Sequence, residues 1–300
     1  MTGRWAPSPT GDLHIGNLRT GLLAWLFARS TGGRFLWRFE DLDITSKPEF
    51  RESQLRDFDL LGLTWDGEAM SQSDRLEVYA DVLSNLIGDG HTYECFCSRR
   101  EIREAPTAPH THLPDGAYPG TCRSLTASER SDRAATGRPP ALRLRADEAV
   151  VTVPDLQLGD YTGVVDDVVL RRGDGTPAYN LVVVIDDDAQ GVTQVVRGDD
   201  LLPSTPRQVH LTRLLNLTVP EYAHVPLVVA SDGRRLAKRF GAVTMADRIA
   251  LGETPLDVLN TMLRSLGLAE VAHIDELHDV AAVFDRSRLP REPWEYHPTG

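Results

Sequence analysis

Lysine is scarce in this sequence. Only Lys47 and Lys238 stand among 32 Lys+Arg in 300 residues; every other basic residue in that count is arginine. A lysine that persists against such a bias is a candidate for work arginine does poorly, such as a compact point charge on phosphate. Cysteine is nearly absent too, with Cys95, Cys97 and Cys122 alone. So odd and sparse a set does not read as a disulfide framework and leaves buried thiols or a metal site. No run of roughly 18 apolar residues occurs, which excludes a membrane-spanning helix. Residues 1–5 lack the apolar core of a signal peptide, so a cytoplasmic location is expected. No internal repeat and no low-complexity linker is visible.

What is present describes an ordinary globular chain, 41% hydrophobic and 25% charged. Acidic residues number 44 and the net charge is −12. That balance argues against wrapping nucleic acid by bulk charge but allows a local basic face. The length suits one large α/β unit with an insertion, or two domains. Residues 3–7 predict a strand, 8–12 a turn-rich loop, and Leu18, Leu22, Trp25, Leu26 and Arg29 the inner face of a helix. With a strand at 34–39, the opening is a βαβ unit. Helices are expected at 49–61, 74–87, 203–215 and 254–266. Strands are expected at 142–145, 164–170, 181–185, 192–196 and 225–230. Residues 95–122, with Cys, His, Pro and Gly and little periodicity, suggest a small irregular subdomain.

The stretch 4–17, RWAPSPTGDLHIGN, runs from a strand through a Pro/Gly loop into a helix. A helix N-terminus offers unpaired N–H groups and a positive dipole end, which suits phosphate. His14 is placed to donate to a phosphate, and Gly16 to admit a flat ligand against the backbone. Residues 231–239, SDGRRLAKR, form a Gly-containing loop with four basic residues after a strand. Such a loop is either a solvated basic turn or a mobile phosphate clamp. Glu40 closes one predicted strand, Tyr179 opens another, and Arg197 ends a third. In open α/β sheets, ligands bind beyond the carboxyl ends of strands. An α-amino acid with a side-chain carboxylate needs an acidic partner for its amine and an arginine fork for its acid. His224 reads as structural. Asp186, Asp187 and Asp188 read as a solvated strand end rather than a Mg²⁺ site. Cys95-x-Cys97 with Cys122 supplies three of four tetrahedral zinc positions; the fourth is open between His110 and His112, and buried free thiols are the alternative.

Residues 4–17 closely resemble the first signature of class I aminoacyl-tRNA synthetases in its glutamyl form. Residues 231–239 partly resemble the second, K-M-S-K-S. Arg235 stands for its first lysine, Ala237 for its serine, Lys238 for its second lysine and Arg239 for its last serine. The segments around Glu40, Tyr179 and Arg197 resemble the glutamyl blocks R-I-E-D, A-Y-N-L-A-V-V-V-D-D and V-R-G-A-D. The resemblance covers roughly residues 3–266. It implies a Rossmann-like α/β catalytic domain with a parallel sheet, a small zinc-binding insertion and a mixed α/β insertion. It implies ATP held by His14, Gly16, Asn17, Arg235 and Lys238, with His14 and Lys238 catalytic, and Mg²⁺ accompanying ATP. It implies L-glutamate held by Arg4, Ala6, Ser8, Glu40, Tyr179 and Arg197, with Trp5 and Pro7 in the same wall.

The cysteine pattern resembles C-x-C…Y-x-x-x-C of the glutamyl-Q tRNA(Asp) synthetases, which implies Tyr118 as fourth ligand beside Cys95, Cys97 and Cys122 around one structural Zn²⁺. A His-for-Tyr exchange stays open, because the insertion before Tyr118 is long and carries both histidines. The expected division is 1–94 and 192–240 for the two catalytic halves, 95–140 for zinc, 141–191 for a strand-rich insertion and 241–300 for a helical end. Past Lys238 only about 60 residues remain, short for an independent anticodon-binding domain. The resemblance therefore implies an ATP-dependent ligase that activates glutamate without tRNA and transfers it to queuosine in the anticodon stem-loop of tRNA(Asp), acting as a monomer. The competing readings are a truncated glutamyl-tRNA synthetase charging tRNA(Glu) and a non-catalytic paralogue with an altered clamp loop. Arg99, Arg100, Arg103 and Arg123 are the expected local basic groove.

Overall fold

Strand β1 (Thr2–Trp5) leads through a loop into helix α1 (Ile15–Arg29), which returns the chain to β2 (Arg34–Phe39). The strands pair in parallel, from Thr2↔Arg34 to Trp5↔Trp37. This is the βαβ unit that the alternation of patterns predicts. Both strands are buried almost from end to end, Arg4 and Arg38 included, as expected where each sheet face is covered. The computed structural model describes residues 1–104, 117–147, 149–234, 236 and 243–297. Arg235, Lys238, His110 and His112 lie outside the described residues.

The chain continues through α2 (Pro48–Leu60), β3 (Met70–Ser71) and α3 (Leu76–Gly88). Next come β4 (Thr92–Cys95), α4 (Arg99–Glu104), α5 (Ala127–Ala134) and β5 (Ala141–Leu144). Then follow β6 (Val150–Asp155), β7 (Gly159–Val164), β8 (Val169–Arg171) and α6 (Tyr179–Ala189). After these come β9 (Gln194–Gly198), α7 (Thr205–Leu214), β10 (Glu221–Val225) and β11 (Val228–Val229). Helices α8 (Met245–Ala250), α9 (Pro255–Ser265) and α10 (Leu277–Ala282) precede β12 (Trp294–Glu295).

β9 runs parallel to β10, and β10 to the end of β6. Thr193 donates its N–H to the Thr2 carbonyl at 2.9 Å, which ties β9's leading end to β1. The carboxyl ends of β1, β2 and β9 therefore open on one side, the position where α/β sheets bind ligands. β4, β5 and β8 form a separate antiparallel sheet that carries the cysteines.

Helix α1 is buried on almost every face and forms the middle of the larger core, with Trp25, Trp37, Phe35 and Phe58 around it. Gly21 sets the approach of α2. A Cβ there would lie 2.3 Å from Phe58 Cζ, closer than atoms can pack. The three last helices cover the other side of this core through Leu259, Met262, Leu263 and Leu277.

Two expectations are corrected. Residues 181–185 are helical, inside α6, and not a strand. Asp186 and Asp187 accordingly sit in the second half of a helix, not at a solvated strand end; Asp186 is 0% exposed and Asp187 6%. A short continuous apolar run fits a buried helix and a buried strand equally, and here every residue from Leu181 to Asp187 is buried.

Candidate active site

His14 forms the N-cap of α1. Its Nδ1 accepts the N–H groups of Gly16 at 3.1 Å and Asn17 at 3.3 Å, while Asn17 Oδ1 accepts the His14 N–H at 3.2 Å. A ring nitrogen that accepts carries no proton, so the neutral imidazole keeps its hydrogen on Nε2. The cap thus turns His14 into a fixed donor at the positive end of the helix. Gly16 has a packing reason beyond ligand approach: a Cβ would lie 3.0 Å from two His14 ring atoms. The loop before the helix is held from α2, where Gln54 Nε2 donates to the carbonyls of Ser8 at 3.2 Å and Gly11 at 2.8 Å.

His14, Gly16 and Asn17 line a cleft of ≈710 Å³ together with Arg4, Trp5, Ala6, Pro7, Ser8, Glu40, Tyr179 and Arg197. All the described candidates for ATP and glutamate are brought to one place. That volume is enough for an amino acid beside a nucleotide. Leu236 also lines the cleft, and the Val243 carbonyl accepts the Ile15 N–H at 2.8 Å. Leu236 and Val243, the described residues on either side of 237–242, thus both lie beside the start of α1.

Charge is arranged within it. Arg4 Nε contacts Asp187 Oδ1 at 3.3 Å, and Arg38 Nη1 takes the same oxygen at 2.8 Å. Glu40 stands 3.7 Å from Arg38 Nη2. Burial pushes the Glu40 carboxyl above the usual glutamate range, with Arg38 and Arg4 opposing and Asp187 and Asp186 adding to the rise. Asp187 goes the other way: burial raises it, but Arg38, Arg4 and Arg197 together hold it below its ordinary value. Asp186, beneath, accepts from Gln72 Nε2, Arg75 Nε and Tyr79 Oη, each at 2.8 Å.

Arg197 is held on every side. Nη1 donates to Gln208 Oε1 at 2.7 Å and to Tyr179 Oη at 3.4 Å, and Nη2 donates to Thr205 Oγ1 at 2.8 Å. Its Nε donates to His224 Nε2 at 3.0 Å. His224, read from the sequence as structural, is buried and touches Arg197. The supports Asp187, Asp155, Thr205 and Gln208 were not singled out as site residues. They are scattered along the chain, Asp187 in α6, Thr205 and Gln208 in α7 and Asp155 at the end of β6, and only the tertiary fold brings them together.

A second cluster lies on the antiparallel sheet. The Sγ atoms of Cys95, Cys97 and Cys122 lie within 4.8 Å of one another. Cys97 Sγ is 3.5 Å from Cys122 Sγ and 3.5 Å from Tyr118 Oη. A tetrahedron with Zn–S bonds of about 2.3 Å has S···S edges of about 3.8 Å, so the spacing fits one zinc ion. Tyr118 Oη accepts the Cys122 N–H at 2.8 Å, and the Arg143 guanidinium stacks 3.7 Å from the Tyr118 ring centre. Burial pushes the Cys97 thiol up to about 11, with Tyr118 opposing. Cys122 goes the other way: burial raises it, but hydrogen bonds with Tyr118, the Phe96 backbone and the other two thiols hold it below the usual thiol range. Of the four arginines expected to meet RNA, Arg123 is engaged inward, on Asp167 at 2.5 Å.

Comparison with known proteins places this geometry. A family model described as tRNA synthetases class I (E and Q), catalytic domain, matches residues 1–294. A glutamyl-Q tRNA(Asp) synthetase from Nocardia farcinica is 59% identical over 97% of this chain and 92% of its own length. The chain belongs to the glutamyl-Q tRNA(Asp) synthetases. A second member, from Cutibacterium acnes, is 50% identical over 92% of this chain and 78% of its own. A glutamate tRNA ligase from Elizabethkingia meningosepticum, solved in complex with its amino acid, superposes with a TM-score of 0.80 at 25% identity. That match covers 99% of this chain and 67% of the ligase. The class I fold with its parallel sheet is thus as expected. No described helix is long and apolar enough to cross a membrane.

Proposed function

We propose that the chain activates L-glutamate with ATP, without tRNA, and passes the glutamyl group to queuosine in the anticodon stem-loop of tRNA(Asp). The observation that carries this reading is the placement of opposite charges beside a helix N-terminus in one cleft. Glu40 takes the α-ammonium, Arg197 and Tyr179 take the side-chain carboxylate, and Arg4, with Ser8, holds the α-carboxylate. Trp5, Ala6 and Pro7 form the wall.

The first step is in-line attack of an α-carboxylate oxygen on the α-phosphorus of ATP; the P–O bond to pyrophosphate breaks as glutamyl-adenylate forms. The site contributes orientation and charge stabilisation. His14 Nε2–H, at the positive end of α1, faces the developing phosphate charge, while Gly16 and Asn17 spend their N–H groups on His14 Nδ1 and so fix that donor. Lys238 and Arg235 complete the ATP site from the second signature. Mg²⁺ bound with ATP would supply charge neutralisation on the leaving pyrophosphate. In the second step a nucleophile of the queuosine base attacks the activated acyl carbon and AMP leaves.

Cys95, Cys97, Tyr118 and Cys122 hold one Zn²⁺. Four protein ligands leave no position for substrate, so its role is to pin the connection between β4 and β5. The test of activation is glutamate-dependent ATP–pyrophosphate exchange with no RNA added. Exchange at full rate supports the reading; strict dependence on tRNA overturns it.

A further inference from the structure

His224 lies opposite Arg197 in the β9–β10 pairing. It is 0% exposed, with the Asp155 carboxylate at Nδ1 and, at Nε2, the Arg197 guanidinium and the Thr205 hydroxyl, whose Oγ1 is 3.1 Å away. Nδ1 is 2.6 Å from Asp155 Oδ2, and Nε2 is 3.0 Å from Arg197 Nε. A guanidinium only donates and a carboxylate only accepts. The ring therefore carries its hydrogen on Nδ1 and presents a lone pair at Nε2. Asp155 is also fixed: its Oδ1 accepts the backbone N–H groups of Gln157 and Leu158, each at 2.9 Å. These hydrogen bonds and that from His224 hold its carboxyl below the ordinary value despite burial. Burial in turn keeps His224 below the usual histidine range, hence neutral.

We propose that Asp155 and His224 are positioning residues for glutamate: Asp155 sets the tautomer of His224, and the His224 lone pair aims the Arg197 fork at the substrate's side-chain carboxylate. The role assigned to Arg197 rests on the functional reading above, while the tautomer does not. The chain of contacts runs from the end of β6, through β10, to β9. Asp155 itself is on the far side of His224 from the fork and acts only through the ring.

The arrangement makes Asp155→Asn informative. The single carbonyl oxygen of asparagine must stay on the Gln157 and Leu158 N–H groups. Its NH₂ then faces His224 Nδ1, which is forced to accept, and the ring hydrogen moves to Nε2. Arg197 Nε–H then loses its acceptor and faces Nε2–H of His224, which can turn only to Thr205 Oγ1, the oxygen that already accepts from Arg197 Nη2, and the fork is displaced. A shape change is minimal, so the fold has little reason to respond.

The experiment is ATP–pyrophosphate exchange on the full chain, titrating glutamate and ATP separately. Asp155→Asn is expected to raise KM for glutamate about 10- to 100-fold with KM for ATP within about twofold. In an Arg197→Lys background, which lacks the fork, the same change is expected to add little. Equal rises in both KM values, or an additive effect on Arg197→Lys, would overturn the proposal. The wild-type protein gives a second reading that needs no variant. Nitrogen-15 NMR of labelled histidine at neutral pH is expected to show the His224 ring, assigned by the signal lost in His224→Gln, protonated on Nδ1 only. A His224 ring protonated on Nε2, or on both nitrogens, would overturn it. Loss of glutamate-dependent exchange in the wild type would sink the functional reading, and the NMR signature would still decide the tautomer.

Discussion

Glu40 lies 3.7 Å from Arg38, and Arg38 gives its 2.8 Å contact to Asp187 instead. The consequence is a division of work between two carboxylates beside one guanidinium. Asp187 neutralises the buried cation and orients Arg4. Glu40 stays incompletely paired, with its charge available to an incoming ammonium.

That division predicts a trade between binding and stability. The Glu40 carboxyl is raised, so its proton is held more tightly in the folded state. Stability contributed this way is present at low pH and lost as pH rises through the folded value. Glu40→Gln should therefore melt higher than wild type at neutral pH without glutamate. It should also raise KM for glutamate about 100-fold and abolish the strengthening of glutamate binding with rising pH. A Glu40→Gln protein that melts lower and keeps the wild-type pH profile would contradict this.

His14 has two separable duties. Removing its ring in His14→Ala should cost about 1 kcal/mol through the lost cap and about 100-fold or more in kcat through the lost donor. Asparagine is a good N-cap but is too short to replace Nε2–H. His14→Asn should accordingly regain the melting temperature and leave kcat low. Recovery of both together would remove the donor role.

Asp57 is buried in α2, and burial, aided by the Asp12 charge and opposed by Arg56, pushes its carboxyl up to about 7. The sign is that of Glu40: stability falls as pH rises from about 4 to about 7. Asp57→Asn is expected to gain on the order of 2 kcal/mol at pH 8 and nothing at pH 4, by chemical denaturation at each pH. An equal effect at both would mean that the gain is not electrostatic.

The zinc assignment is checked by metal analysis. The purified chain should hold one zinc per molecule, Cys97→Ser should lose it, and Tyr118→Phe should bind more weakly. His110→Ala with His112→Ala should bind as wild type. Affinity should rise with pH, since each thiol must give up a proton to coordinate. A chain that melts identically with and without chelator would contradict a structural role.

The sequence was most legible where motif and local geometry coincide. The loop at 4–17 reads as strand, turn and capped helix, and the fold follows that order. The Cys95, Cys97 and Cys122 spacing read as a metal site, and the three sulfurs do converge. Residues 181–185 misled because a buried helix needs no polar face, and its β-branched run imitates a buried strand. Asp187 was read as solvated because nothing local announces Arg4 and Arg38 as its partners. Asp155 and His224 escaped for a related reason. They are 69 positions apart in sequence and meet only because β6 and β10 pair in parallel.

Transfer of glutamate to the right acceptor tests the central claim most directly. Labelled glutamate, ATP and the purified chain would be incubated with tRNA(Asp) containing queuosine, with tRNA(Asp) lacking it, and with tRNA(Glu). The account predicts label on the queuosine-containing tRNA(Asp) alone, and retained after the 3′ end is removed. Label on the 3′ end of tRNA(Glu), or on queuosine-free tRNA(Asp), would contradict it.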